Sequence, residues 1–251
     1  MARLFTAASN EYGKNANAVV TSVPLTMACW ARLTAVGTVA RILMEVRNSA
    51  SVTGRDCWSL RMSDTEKCRA LAANATAAST ADSTASMVAG TWEHCCAVFT
   101  NSTNFASWLN GTEAAVVSSA RTPVGPNVTD IGIAEISSGS LSLPWNGDIA
   151  FPAVWNVALA GGDIAQLADA FAPPCVRPDA LVAYWQLMGN SSPEPDVFGG
   201  YALTLTGTAK TSSGNPRIIE PRRSRMFSIP AAVGGLSIAV AMHQYRRLRA
   251  A

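Results

Sequence analysis

The stretch Gly90-Thr-Trp-Glu-His-Cys-Cys-Ala-Val-Phe99, followed by Phe105-Ala-Ser-Trp-Leu-Asn-Gly111, decides how this chain is read. Its Trp, Val and Phe residues suit a pleated surface, and Asn110-Gly111 supplies the positive φ of a two-residue hairpin turn. Successive side chains on a strand point to opposite faces, so at most one of Cys95 and Cys96 points into a given core. The stretch reads as a strand followed by a hairpin.

The same period of two recurs on either side. Leu25, Met27, Cys29 and Ala31 share one face of a run, while Thr26, Ala28, Trp30 and Arg32 share the other. Trp58–Met62, Ile131–Ile133, Leu181–Leu187 and Tyr201–Thr206 alternate similarly. Turn-formers separate these runs: Asn146-Gly147, Gly161-Gly162, Pro173-Pro174 and Gly199-Gly200. Many short strands punctuated in this way predict a sandwich or barrel rather than alternating β and α units. One segment differs. In Gly162–Phe171, residues Ile164, Leu167, Ala168 and Phe171 fall at helical spacing, with Asp163 at the start and Pro173 beyond the end. The low-complexity stretch Ala70–Ser86 is rich in Thr, Ser and Asn and is expected to form one or two exposed strands.

Composition narrows the class. Of 251 residues, 49% are hydrophobic and 14% charged, which excludes a disordered chain. The net charge of +2 is too small to suggest nucleic-acid binding, but it is uneven. From Arg217 onward, seven Arg face one Glu, giving +6 and leaving −4 for the rest. Met1–Phe5 runs into polar residues without the apolar stretch of a secretory leader. The six cysteines lack the paired C-x₂-C spacing of zinc sites and are expected to be reduced, partly buried thiols, which suits a reducing cytoplasm. The Asn-x-Ser/Thr sites at Asn74, Asn101, Asn110, Asn127 and Asn190 would matter only after secretion.

Gly90–Phe99 resembles the Gly-Thr-Trp-His-His-Val-Ala strand of laminin-G-like, concanavalin A-like jelly rolls, and Phe105–Gly111 resembles their Leu-Tyr-Val-Asn-Gly hairpin. Ile131-Gly-Ile-Ala134 and Trp145–Leu159 are similar to the next two landmarks, and Leu25–Ala31 to an early one. The resemblance covers roughly residues 15–170. It implies an all-β, antiparallel jelly-roll sandwich with one short helix over residues 1–215 and a C-terminal arm over 216–251.

The search for chemistry returns little. Related β-glucanases use closely spaced Glu and Asp on one strand, one carboxylate as acid and one as nucleophile. No such pattern occurs, and Glu45, Glu93, Glu113 and Glu135 are expected to be surface charges. His94 lacks an accompanying nucleophile motif, so no catalytic residues are assigned and the chain is read as non-enzymatic. No phosphate loop, cofactor or metal site is assigned either. Asn127, Asp130 and Asp148 are the residues a lectin-type calcium cluster would draw on, but they read better as ordinary loop residues. Trp30, Trp92, Trp155 and Trp185 read as core, leaving Trp58, Trp108 and Trp145 to stack on sugars.

The tail is basic and apolar. Pro216–Arg225 reads as an extended arm, residues 226–242 form an apolar run, and Tyr245, Arg246 and Arg247 follow. A jelly roll with such an arm resembles surface proteins of tailed bacteriophages. That resemblance implies a virion structural protein, a capsid decoration (cement) or fibre component, made in the host cytoplasm. It would dock on other virion proteins or on copies of itself, as a homo-oligomer, through Arg222, Arg223, Arg225, Phe227, Ile229, Tyr245, Arg246 and Arg247. The alternative is a lectin-like carbohydrate-binding module that binds host-surface glycans and is tethered to a membrane through 226–242.

Overall fold

Strands with apolar residues at every second position must bury one face, and strands apolar at every position must bury both. Both kinds occur here. The computed structural model describes residues 2–51, 56–114, 116–118, 121–136, 140–187, 192–207 and 214–220. Its strands, in chain order, are β1 (Arg3–Phe5), β2 (Tyr12–Asn15), β3 (Leu25–Leu33), β4 (Arg41–Arg47), β5 (Cys57–Met62), β6 (Lys67–Ala73), β7 (Ala78–Ser86), β8 (Trp92–Phe99) and β9 (Asn104–Leu109). They continue as β10 (Thr112–Glu113), β11 (Val117–Ser118), β12 (Val128–Ile131), β13 (Ala134–Ile136), β14 (Ser140–Ser142), β15 (Gly147–Trp155), β16 (Leu181–Tyr184) and β17 (Thr204–Thr206). One helix, α1 (Gly161–Ala168), follows β15.

The strands form two antiparallel sheets packed as a sandwich, with β13 and β14 as a separate small pair. The first sheet runs β1-β15-β3-β8-β9-β10, with β11 also on β9 and β16 also on β15. The second runs β17-β2-β12-β4-β5-β6-β7. Late strands close onto early ones: β17 pairs with β2, and β15 with β1, while β16 adds onto β15. The jelly-roll reading of the sequence holds, including both strands of the low-complexity stretch, although β6 is more buried than expected.

Leu25, Met27, Cys29, Ala31 and Leu33 of β3 face inward with Trp58, Leu60 and Met62 of β5 and Ala70 and Ala72 of β6. Burying a side chain such as Leu25 or Met27 contributes roughly 1.5–3 kcal/mol. The outer face of the first sheet is apolar too. Ala28, Cys96, Trp108, Ala150, Ala153 and Trp155 form a second cluster there with Ile164 and Leu167 of α1, and with Val176, Ala180 and Leu181. Double burial explains why Cys95 and Cys96 are both fully enclosed, one in each cluster. All six cysteines are free thiols; burial pushes Cys29, Cys57 and Cys96 well above the usual thiol range, and a hydrogen bond with Cys68, with burial second, does the same for Cys95.

Helix α1 is shorter than its spacing predicts. Asp163 accepts the Ala160 N–H at 3.1 Å and so caps the first turn. The chain leaves the helix before Phe171, because Ala170 adopts φ 69° and Phe171 bridges to Ile219 instead. Residues 214–220 run against this region. The Ile219 N–H donates to the Ala170 carbonyl at 2.6 Å, and Asn215 Oδ1 accepts the Ala2 N–H at 2.7 Å. The rest of the expected arm, including Arg222, Arg223, Arg225, Phe227, Ile229, Tyr245, Arg246, Arg247 and the run 226–242, lies outside the described residues. Among the described residues no helix is long and apolar enough to cross a membrane.

Gly147 opens β15 with φ 150°, and a Cβ built there collides with the Arg32 carbonyl of β3. Gly147→Ala is expected to lower stability by roughly 1–3 kcal/mol in urea denaturation. Gly162→Ala, with open space around its Cβ on α1, should raise it by up to about 1 kcal/mol. Equal effects would refute this account of β15.

Candidate ligand-binding site

Outward positions of the second sheet are largely ionic, beside a small apolar cluster of Cys57, Leu71 and Ala73. Asp130 on β12 stands cross-strand from Lys14 on one side and Glu45 on the other, and Glu45 from Ser59. Arg47 Nε donates to Asp130 at 2.7 Å, and Arg61 Nη2 to Glu45 at 2.9 Å. Further along, Arg69 grips Asp82 with two bonds of 2.6 and 2.7 Å. Asp130 and Glu45 are each only 1% exposed, so Glu45 is not the surface charge its isolation in sequence suggested. Two carboxylates therefore lie side by side, each closed by its own arginine. Burial pushes Asp130 up to about 6, helped by Glu45 and opposed by Arg47 and Lys14.

Asp148 lies on the first sheet and pairs with Arg32 at 2.8 Å, while Asn127 accepts the Ser49 N–H at 2.8 Å. Asn127, Asp130 and Asp148 thus do not converge, and no metal-binding group occurs among the described residues. His94 is buried against the edge of Trp30, and burial alone pushes it down to about 3, leaving it neutral.

The tryptophans sort differently from expectation. Trp58 and Trp145, expected to meet sugars, are enclosed in the inner core. Trp58 shares its face with Leu60 and Met62 and sits cross-strand from Val46 and Ala72, whose small side chains leave room for the indole. Trp30 and Trp92, expected in the core, are the partly exposed ones, with Arg32 lying 5.2 Å from the centre of the Trp92 ring. Trp108 is also buried, at 9% exposure, but it borders a cleft.

That cleft and a second one flank the β9–β10 hairpin. Asn110 (φ 50°) and Gly111 (φ 78°) make its turn, as the sequence required. Alternation then sends Leu109 and Thr112 to one side and Trp108 and Glu113 to the other. On the outer side, Trp108, Glu113, Val98, Val116, Leu159 and Gly161 border a cleft of mixed polarity of about 400 Å³. On the other side, Ser83, Thr84, Ala85 and Ser86 of β7 join Glu93, Leu109, Asn110 and Thr112 around a second cleft, also of about 400 Å³, in which polar side chains are set in a mainly apolar open surface. Both volumes suit a small ligand.

Its polar groups are held by backbone. Asn110 Oδ1 accepts the His94 N–H at 2.8 Å, and Asn110 Nδ2 reaches Glu93 Oε1 at 3.4 Å. Glu93 Oε2 accepts the Val88 N–H at 3.0 Å. Ser83 Oγ donates to the Ala85 carbonyl at 2.6 Å, and Ser86 Oγ to the Thr65 carbonyl at 3.1 Å. Glu93 is 5% exposed, again not the expected surface charge, and burial raises its pKa against the hydrogen bonds from Val88 and Asn110. Sequence reasoning missed this cleft because its residues come from three separate segments and match no motif. The Asn110-Gly111 turn was its one visible signal.

Comparison with known proteins agrees with the fold. A family model described as the concanavalin A-like lectin/glucanases superfamily matches residues 7–165. A Bacteroides ovatus protein assigned to carbohydrate binding superposes with TM-score 0.60 at 17% identity, over 85% of this chain and 60% of that one. The CBM40 module of a Ruminococcus gnavus sialidase, bound to α2,3-sialyllactose, gives 0.53 at 13% identity, over 62% and 93%. A heptameric SAP-like pentraxin from Limulus polyphemus gives 0.52 at 14%, over 66% and 80%. No curated protein matches the sequence.

The ionic ladder sets a pH dependence. With the pKa of Asp130 raised in the folded protein, the folded state holds the proton more tightly than the unfolded chain. Stability therefore falls as pH rises from about 4 to about 6, by roughly 3 kcal/mol from this group. Asp130→Asn should flatten that slope in urea denaturation at stepped pH. An unchanged slope would assign it to another group.

Proposed function

This chain belongs to the concanavalin A-like lectin/glucanases superfamily, and from that premise we propose that it is a non-catalytic, lectin-like carbohydrate-binding module. The observation that carries the reading is the cleft beside the β9–β10 hairpin, framed by Ser, Thr, Asn and Glu. Its rim of Ser, Thr, Asn and Glu side chains offers the donors and acceptors that sugar hydroxyls need, over the apolar patch of Leu109. Glycan ligands of the similarly folded Ruminococcus gnavus module are consistent with this use of the fold, although a shared fold does not transfer a ligand.

The absence of catalysis is part of the proposal. Glycoside hydrolysis needs two carboxylates open to the scissile bond. Glu45 and Asp130 are adjacent but buried, and Arg61 and Arg47 occupy them. The alternative role in virion assembly rests on arm residues outside the described part.

The test is glycan binding by the full chain, with Ala85→Trp as the probe. Ala85 is exposed on the cleft rim, so the indole should fill the cleft without touching either core. Binding is expected to weaken by more than about tenfold, a cost of roughly 1.4 kcal/mol, with the melting temperature unchanged. Full-strength binding by the variant would move the site elsewhere.

A further inference from the structure

The charge around the cleft framed by Ser83–Ser86 and Glu93 separates classes of sugar, an inference that rests on the lectin reading above. Among the described residues, Glu93 is the one ionisable group lining the cleft, and neither Lys nor Arg joins it. Glu93 is buried, with one oxygen held at 3.0 Å by the Val88 N–H and the other only loosely, at 3.4 Å, by Asn110. A carboxylate so placed keeps lone pairs to spare for hydroxyl donors.

Countercharge is not at hand. Arg69 on β6 is already clasped by Asp82, with Asp64 at 3.8 Å. Lys67 stands cross-strand from Ser86 but does not line the cleft. Glu113 adds a further negative charge, on the opposite side of the hairpin. A ligand carboxylate or sulfate entering here would meet Glu93 in a half-enclosed space where like charges are poorly screened. A sugar hydroxyl would instead donate to it.

We propose that this cleft selects neutral, hydroxyl-rich glycans and rejects their sialylated or sulfated counterparts. In this it would differ from the Ruminococcus gnavus module, whose bound ligand is α2,3-sialyllactose.

The experiment is an array of matched pairs, each glycan with and without a terminal sialic acid, probed with the full chain and three variants. Neutral members should bind at least about tenfold more tightly than their sialylated partners. Glu93→Gln keeps an acceptor for the Val88 N–H and removes the charge, so it should narrow the gap. Thr112→Lys, on the exposed rim of the hairpin, places a cation at the cleft and should do the same even where Glu93→Gln proves unstable. Ala85→Trp should abolish binding of both members. Equal or tighter binding of sialylated partners that Ala85→Trp abolishes would overturn the selectivity while leaving the lectin reading intact. Binding that Ala85→Trp leaves untouched, or binding of no glycan at all, would overturn both.

Discussion

The rest of the structure depends on the burial of the first sheet on both of its faces. Strand β3 lies in the interior of that sheet, hydrogen-bonded to β8 on one side and β15 on the other. Its inward residues meet the second sheet, and its outward Ala28 meets the cluster under α1. β15 has no exposed residue from Gly147 to Trp155. An apolar outer face needs a cover, and α1, the segment around Val176–Leu181 and residues 214–220 provide most of it, leaving Trp30 and Trp92 half-buried. The backbones of β3 and β15 meet so closely at Gly147 that a side chain has no room there. With this face occupied, the openings left for a ligand lie at the margin of the sandwich, beside β9 and β10.

The second sheet resolves its outward face by a different route. Charged side chains there are removed from water and paired, which costs desolvation about as large as the attraction it returns. Such a ladder adds little net stability, so its physical effect lies in geometry. Arg47 and Asp130 join β4 to β12, and Arg61 and Glu45 join β5 to β4. The same pairing closes Glu45 and Asp130 off from solvent.

Much of the fold was legible because alternation is local. The two faces of β3, the Asn110-Gly111 turn and the start of α1 each follow from residues within a few positions of one another. The errors share one cause. Sequence shows that a face is apolar, not what covers it, so Trp30 and Trp92 were placed inside and Trp145 outside. Trp58 was recoverable, since it shares its inward face with Leu60 and Met62. Glu45 and Glu93 were taken for surface charges because their partners, Arg61 and Asn110, are 16 and 17 residues away. The end of α1 depends on Ile219, distant in sequence, bridging to Phe171. The cleft was least visible of all, since the side chains that frame it meet only once β7 at the edge of the second sheet packs beside β8–β10 of the first.

The ionic ladder also bears on how the chain avoids pairing wrongly. Strand side chains have a period of two, so sliding β4 by one residue would turn Glu45 and Arg47 inward. They would then face Trp58, Leu60 and the rest of the apolar interior, where an unpaired ion is far more costly than a lost methyl contact. Strands as small and repetitive as Ala70–Ala73 and Ala78–Ser86 carry little shape to distinguish one alignment from another. Among such interchangeable strands, Arg47, Arg61 and Arg69 act as index marks: each finds its acid in one alignment and strands its charge in the next.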